Sequence, residues 1–340
     1  MINKQPVDAV ITWVDGSDSS HAAKLNRLLA SLGRTRPMSA APTRFNQCGE
    51  LSYCVFSLLQ FAPWINNIFI ITDQQIPPIV EQLAMTTYAN KIKIIDHLQI
   101  FADYEHVLPT FNSLTIETML FKIPDLADKF IYLNDDCLLV RPVSYDDFFR
   151  SGKVVLRGCW KTSSSVKTYY KLTRWLNKYF PKLVQVKPPA FHRHIQEKSG
   201  QLLGFTKRFF DLPHMPFAMN KPTIDCFFRL NPQLLSSNIQ YALRDLRQFW
   251  LISLIAHLEI NNNQAIIDKS LKAMMVNGGH HSIKKIKSRL AAVDSNPHIA
   301  FLCMQSIDLA PDDVKDYLIG WLKGRFDINS RLFLSNRTNN

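Results

Sequence analysis

A largely parallel β-sheet covered by helices on both faces, an α/β fold, is what this sequence predicts, on two observations. Strand-like and helix-like signals alternate through the first 160 residues, and four of the five strand-like runs are followed at once by polar residues. Alternation of this kind builds parallel strands joined by crossover helices, which bury the sheet on both sides. Polar groups at successive strand ends collect along one edge, where open sheets of this class bind their ligands.

Val7 to Val14 is rich in β-branched residues and stops at Asp15-Gly16-Ser17-Asp18, a cluster of turn formers. His21 to Leu32 then repeats apolar residues at Leu25, Leu28, Leu29 and Leu32, the helical period. A second helix, Glu50 to Phe61, opens behind Gly49 with an acid, which the positive end of a helix favours. Ile68 to Thr72 reads as a strand closed by Asp73-Gln74-Gln75, Ile79 to Ala89 as a helix, and Ile92 to Ile95 as a strand closed by Asp96-His97. Ser113 to Ile123 is helical behind Asn112, a natural N-cap. Phe130 to Leu133 and Val154 to Leu156 are the remaining strands, the former running into Asn134-Asp135-Asp136.

Asp135 and Asp136 stand between two apolar runs, where adjacent carboxylates repel and lose hydration. A bound divalent cation, Mg²⁺ or Mn²⁺, relieves that cost and in turn grips a nucleotide diphosphate. A turn of solvated acids is the plainer reading of the same residues.

Composition is globular, with 46% apolar and 20% charged residues in a chain of 340. The longest apolar stretch, Tyr53 to Ile71, is interrupted by Gln60, Pro63, Asn66 and Asn67, so it reads as helix, turn and strand rather than a membrane span. The opening Met-Ile-Asn-Lys-Gln-Pro leads straight into a strand without the pattern of a signal peptide, which predicts a cytoplasmic protein. Cysteines 48, 54, 137, 159, 226 and 303 contain no CxxC pair and predict reduced thiols rather than a disulfide frame or a zinc site.

The net charge of +12 sits in one segment: residues 151 to 221 hold 14 Lys/Arg against Glu197 and Asp211, and the remaining 26 bases and 26 acids cancel. Aromatics are interleaved there, among them Trp160, Tyr169, Tyr170, Trp175, Tyr179, Phe180, Phe191, Phe205, Phe209 and Phe210. That mixture suits anionic carbohydrate or membrane phosphate, or forms a solvated basic face. No nucleic-acid motif accompanies it, so nucleic acid is not expected as a partner.

The run Val7-Asp8-Ala9-Val10-Ile11-Thr12-Trp13-Val14-Asp15-Gly16-Ser17-Asp18 resembles the first block of the Stealth family, bacterial capsular polysaccharide phosphotransferases related to the lysosomal N-acetylglucosamine-1-phosphotransferase. Arg44-Phe45, Gly49-Glu50-Leu51, Phe61-Ala62-Pro63-Trp64-Ile65, Ile70-Ile71-Thr72-Asp73, Phe111-Asn112-Ser113 and Phe130 to Asp136 resemble the second. The likeness covers nearly all of residues 7 to 142. Fainter echoes follow at His214-Met215-Pro216, Arg244 and Phe301-Leu302-Cys303.

The resemblance implies a GT-A-like nucleotide-sugar-binding sheet over residues 1–160, a basic aromatic-rich insertion over 161–221 and a C-terminal helical part, 222–340, that completes the site. It implies transfer of a hexose-1-phosphate from a UDP-sugar to a hydroxyl of a polyanionic capsular polysaccharide, with release of UMP. A glycosyltransferase releasing UDP, and a non-catalytic carbohydrate-binding protein, are the alternatives. The enzyme would work in the bacterial cytoplasm, with peripheral contact to anionic membrane or a capsule-assembly complex.

Carried onto this chain, the metal ligands are Asp135 and Asp136, the catalytic residues His214, Asp15 and Arg244, and the substrate-binding residues Trp13, Gly16, Arg44, Glu50, Asp73, Asn112 and Glu117. An imidazole titrates near working pH and suits a general base, and guanidinium suits phosphate oxygens. Each residue also has a plain structural reading: Arg44 paired with Glu50, Arg244 with a neighbouring Asp, His214 bonded to backbone, Glu117 a surface acid. Departures from the family pattern fall at Gln47, Cys48, Ser52, Phe56, Leu114, Gln305 and Ser306, and several of them remove charge.

Overall fold

A computed structural model describes residues 5–33, 36–167 and 190–326. The strands of the first half are β1 (Val7–Thr12), β2 (Ile68–Thr72), β3 (Ile92–Asp96), β4 (Lys129–Asn134), β5 (Cys137–Leu139), β6 (Phe149–Arg150), β7 (Lys153–Leu156) and β8 (Cys159–Thr162). The second half adds β9 (Arg208–Asp211), β10 (Phe217–Asn220), β11 (Ala265–Ile267), β12 (Lys272–Asn277) and β13 (Ile299–Gln305).

The main sheet runs β10-β4-β1-β2-β3, with β4, β1, β2 and β3 parallel and β10 antiparallel at the edge. β2 is buried along its whole length, as a strand covered on both faces must be. The expected α/β class with its parallel sheet is therefore present, and four of the five expected strands form it. The fifth, around Val154 to Leu156, instead lies between β11 and β6 in a separate three-stranded sheet. A third sheet, β12-β13-β5, receives the chain two residues after it leaves β4.

Helix Glu50–Phe61 matches its expected bounds and ties the two sheets together. Its Ser57 Oγ accepts the backbone N–H of Leu139 at 3.0 Å, and its Cys54 thiol lies 3.9 Å from the Asn134 carbonyl. The helix expected to Ala89 ends instead at Leu83, where Thr86 Oγ1 donates to the Leu83 carbonyl and competes with the helical ladder. The helix expected to Ile123 is regular only to Thr118 and then tightens into a 3₁₀ turn at Leu120–Lys122.

The end of the basic segment is built into the core, because β10 joins the main sheet beside β4. Residues 168–189, with Tyr169, Tyr170, Trp175, Tyr179 and Phe180, lie outside the described residues. The C-terminal part expected to be helical carries strands β11 to β13 as well as helices, the last of them Asp312–Arg325. Among the described residues no helix is long and apolar enough to cross a membrane.

Asp8 fastens the amino ends of three central strands. Buried at 1% exposure, its carboxylate accepts from Asn66 Nδ2 at 3.1 Å, Asn67 N at 2.9 Å and Ala127 N at 2.8 Å. Asp8→Ala leaves three donors without their acceptor at about 1–3 kcal/mol each, so urea unfolding is expected to show a loss of about 4 kcal/mol. An unchanged midpoint and slope would remove Asp8 from this role.

Candidate active site

A cavity of about 450 Å³ opens at the carboxyl ends of the parallel strands. β1 contributes Thr12 and the following Trp13, β2 contributes Ile71 and Asp73, His97 follows β3, and Asn134, Asp135 and Asp136 close β4. Arg44 and Phe45, Ser113 and Ile116, and His214, Arg244, Met304, Gln305, Ser306 and Asp308 also line it.

Asp135 and Asp136 are the two residues between β4 and β5. Burial pushes both carboxyls up, and that of Asp135 goes well above the usual range with further repulsion from Asp136 and Glu50. For Asp136 the charge of His214 opposes that rise. The Cys137 and Cys303 thiols lie 3.5 Å from the two Asp136 oxygens, one on each. Glu50 begins the helix beneath this turn; burial raises its carboxyl, and the Cys48 backbone N–H donates to it.

Two guanidiniums oppose this acid cluster. Arg244 is pulled down to about 10, mainly by burial and then by the charge of Arg44, with Glu117 acting the other way. Its Nη2 donates to Ser113 Oγ at 2.7 Å. It does not pair with neighbouring Asp245, which bonds Arg247 instead. Nor does Arg44 rest on Glu50: its Nε donates to the Met38 carbonyl at 3.0 Å. The strap carrying Arg44 is clasped by Asp308, whose carboxylate accepts from Thr43 Oγ1 and Asn46 Nδ2, each at 3.0 Å.

His214 lies with its ring centroid 4.5 Å from that of His192, and burial lowers its pKa while Asp136 resists. Gln196 fixes the His192 tautomer. Its Oε1 accepts the Leu212 N–H at 2.8 Å, so its amide nitrogen donates to His192 Nδ1 at 3.1 Å and the imidazole proton stays on Nε2. Burial holds His192 down at about 3, so the ring beside His214 is neutral.

Of the residues singled out from sequence, Trp13, Arg44, Glu50, Asp73, Asp135, Asp136, His214 and Arg244 line the cavity. Four others do not. Asp15 does not join the acids, because its carboxylate accepts from Ser17 N at 2.9 Å and Ser17 Oγ at 2.6 Å and shapes the turn. Gly16 acts through its lack of a side chain: its N–H donates to the Phe45 carbonyl at 2.7 Å, and a Cβ there would stand 2.6 Å from Phe45 Cβ. Asn112 caps helix Ser113–Thr118 through Leu114 N and bonds Gln248 and the Tyr241 carbonyl. Glu117 is no surface acid, being 4% exposed behind Arg244 and accepting from Trp250 Nε1 at 2.5 Å.

The structure also adds residues that sequence reasoning passed over. His21 lines the cavity with its ring 5.2 Å from Phe45 and 5.1 Å from Phe111, and its only sequence cue was the strand-end turn just before it. His97, held down at about 4 by burial, followed a strand end that had been noted. Lys24 pairs with Asp73 at 2.9 Å, a contact between residues 49 apart that no local pattern announces.

Residues 5–33 match the family description Stealth protein CR1, conserved region 1, and residues 44–156 match Stealth protein CR2, conserved region 2. A capsular polysaccharide phosphotransferase of Actinobacillus pleuropneumoniae is 34% identical over 246 residues, 68% of this chain and 63% of that protein. One from Neisseria meningitidis serogroup B is 40% identical over 149 residues, 43% of this chain and 38% of that protein. The chain spans 63%, 53% and 55% of three such relatives, less than two thirds of each. A solved structure of LgtC aligns over 94% of this chain and 96% of its own at 12% identity and a TM-score of 0.42, too low to bear on the site.

Glu117 yields a test of the electrostatics. Its carboxyl is raised from 4.5 to about 7, chiefly by burial. The folded state therefore holds this proton more tightly than the unfolded chain, so the associated stability is present below pH 4.5 and lost as pH rises to about 7. At about 1.4 kcal/mol per pH unit the loss is about 3 kcal/mol. Urea unfolding across this window is expected to show that slope in the native chain and not in Glu117→Gln; equal slopes would contradict the burial argument.

Proposed function

The chain belongs to the Stealth family, and from that premise we propose that it transfers a hexose-1-phosphate from a UDP-sugar to a hydroxyl of a growing capsular or cell-surface polysaccharide, forming a phosphodiester and releasing UMP. The observation that carries this reading is one cavity lined by Asp135 and Asp136 together with Arg44, Arg244 and His214. Attack on the phosphorus next to the sugar needs charge dispersal at phosphoryl oxygens and a base for a weakly acidic hydroxyl.

Mg²⁺ or Mn²⁺ suits Asp135 and Asp136, two adjacent carboxylates that line the cavity and whose pKa values burial pushes up, because a hard divalent cation takes carboxylate oxygens and offsets their charge. Bound there, the ion would supply neutralisation of the diphosphate. Arg244, held by Ser113 and backed by Glu117, is placed to donate to phosphate oxygens, and Arg44 approaches from the strap. An anion between the two guanidiniums would also relieve their repulsion. His214, whose pKa burial lowers, would take the proton of the acceptor hydroxyl, and the imidazolium formed would be offset by the charge of Asp136. Trp13 and Asp73 would contact the nucleotide portion of the donor, and Glu50 the sugar side.

The division into a nucleotide-sugar core over 1–160, a basic segment over 161–221 and a C-terminal part completing the site is retained as part of this proposal. The described portion of the basic segment presents Lys207 and Arg208 exposed, with the Arg208 guanidinium 4.3 Å from the Trp160 ring centre. These residues would hold the polyanionic acceptor, and the enzyme would act at the inner face of the cytoplasmic membrane.

Incubation with UDP-sugars, a divalent ion and capsule fragments is expected to yield UMP by chromatography, with Asp136→Asn reducing turnover by at least about 100-fold. UDP as the nucleotide product would point to glycosyl transfer instead, release of neither nucleotide to a binding protein, and full turnover of Asp136→Asn would remove Asp136 from the metal site. Acceptor use is also expected to fall steeply between low and physiological salt, and less steeply after Lys207→Gln and Arg208→Gln. A salt response unaltered by both substitutions would remove the segment from acceptor binding.

A further inference from the structure

Behind the acid turn lie two thiols that the proposed transfer does not use. Cys137 opens β5, and the register of β5 against β13 sets it opposite Cys303. Cys137 Sγ is 3.5 Å from Asp136 Oδ1, and Cys303 Sγ is 3.5 Å from Asp136 Oδ2. One oxygen of Asp136 and the two sulfurs all lie within 4.8 Å of one another. A tetrahedral ion of the zinc class bonds sulfur at about 2.3 Å and carboxylate oxygen at about 2.0–2.2 Å, which makes its sulfur–oxygen edge about 3.5 Å and its sulfur–sulfur edge about 3.8 Å. Each thiol already has that edge length to its own oxygen of Asp136, and closure of the group on a single oxygen needs side-chain shifts on the order of 1 Å.

Access comes from the cavity. The thiols are 2% and 0% exposed, whereas Asp136 lines the cavity wall, so an arriving ion meets the carboxylate first and the sulfurs behind it. Strand pairing brings together cysteines 166 positions apart, which is why no spacing rule on the sequence detects them.

We propose that Asp136, Cys137 and Cys303 form a binding site for a thiophilic divalent cation of the zinc class. Binding makes two metal–sulfur bonds and one metal–oxygen bond, leaves the fourth position to water from the cavity, and releases the two thiol protons to solvent without any change of oxidation state. Magnesium, a hard ion, gains little from sulfur, so the two kinds of cation compete for Asp136 and not for the thiols. Occupancy by the soft ion draws Asp136 away from Asp135 and blocks transfer. That consequence rests on the proposed function, whereas the binding does not.

Cobalt(II) titrated into the full chain carrying Cys159→Ser and Cys226→Ser, which removes the two exposed thiols, reads the site directly. The expected result is one equivalent bound, with a thiolate-to-cobalt charge-transfer band and the intense visible bands of a tetrahedral ion, both abolished by added zinc. Cys303→Ala is expected to lose the charge-transfer band, and Asp136→Asn to weaken binding at least tenfold. Circular dichroism checks that each variant is folded, and Cys303→Ser, closer in volume, gives the reading if the alanine variant is not. No charge-transfer band, or one that persists with both Cys137 and Cys303 replaced, overturns the proposal. Zinc inhibition of sugar-phosphate transfer, relieved by Cys303→Ser, tests the consequence; a chain that transfers nothing would defeat the proposed function while the cobalt spectrum still decided the site.

Discussion

The site depends on a two-residue passage from one sheet to another. β4 ends at Asn134 in the parallel sheet, and β5 begins at Cys137 in the sheet with β13. Only Asp135 and Asp136 lie between, so their carboxylates are fixed by two ladders rather than carried on a loose turn. Helix Glu50–Phe61 holds the passage from below, through Ser57 to Leu139 and Cys54 to Asn134, and brings Glu50 up to the acids. Three carboxyls are thereby crowded together, two placed by the passage between the sheets and one by the helix start.

The same cavity carries both signs of charge, because Arg44 and Arg244 line it together with the acids. Burial lowers the proton affinity of both guanidiniums, and the charge of Arg44 lowers that of Arg244 further. Separated charge of this kind, kept apart by a cavity of about 450 Å³, is costly in the empty protein and is relieved by a ligand that is itself both anionic and metal-bound. A nucleotide diphosphate with its cation has that character. The neutral His192 ring beside His214 adds no further positive charge where, in the proposed transfer, the acceptor hydroxyl would lose its proton.

The parallel sheet was legible because buried parallel strands are near-continuous apolar runs and their ends are marked by turn formers, as at Ile68 to Asp73 and Phe130 to Asp136. Helix lengths were less legible where Thr86 or Thr118 turned its hydroxyl onto the backbone, a choice that hydrophobic period does not encode. Within the site, sequence reasoning found residues that sit on the strand-end edge or in family-like blocks. Asp15 shows its limit: a strand-end acid can aim at its own turn, and only the Ser17 contacts reveal that it does. Contacts made by distant pairing, such as Lys24 with Asp73 and Cys137 with Cys303, leave no local trace at all.

The proposed transfer requires that the phosphorus nearest the sugar be the atom attacked and the atom transferred. A UDP-sugar labelled with radioactive phosphorus at the sugar-proximal phosphate tests it in a single turnover mixture with a capsule-fragment acceptor. The account predicts label in the saccharide product as a phosphodiester and unlabelled UMP in solution. Label remaining with the nucleotide, as UDP, would contradict it.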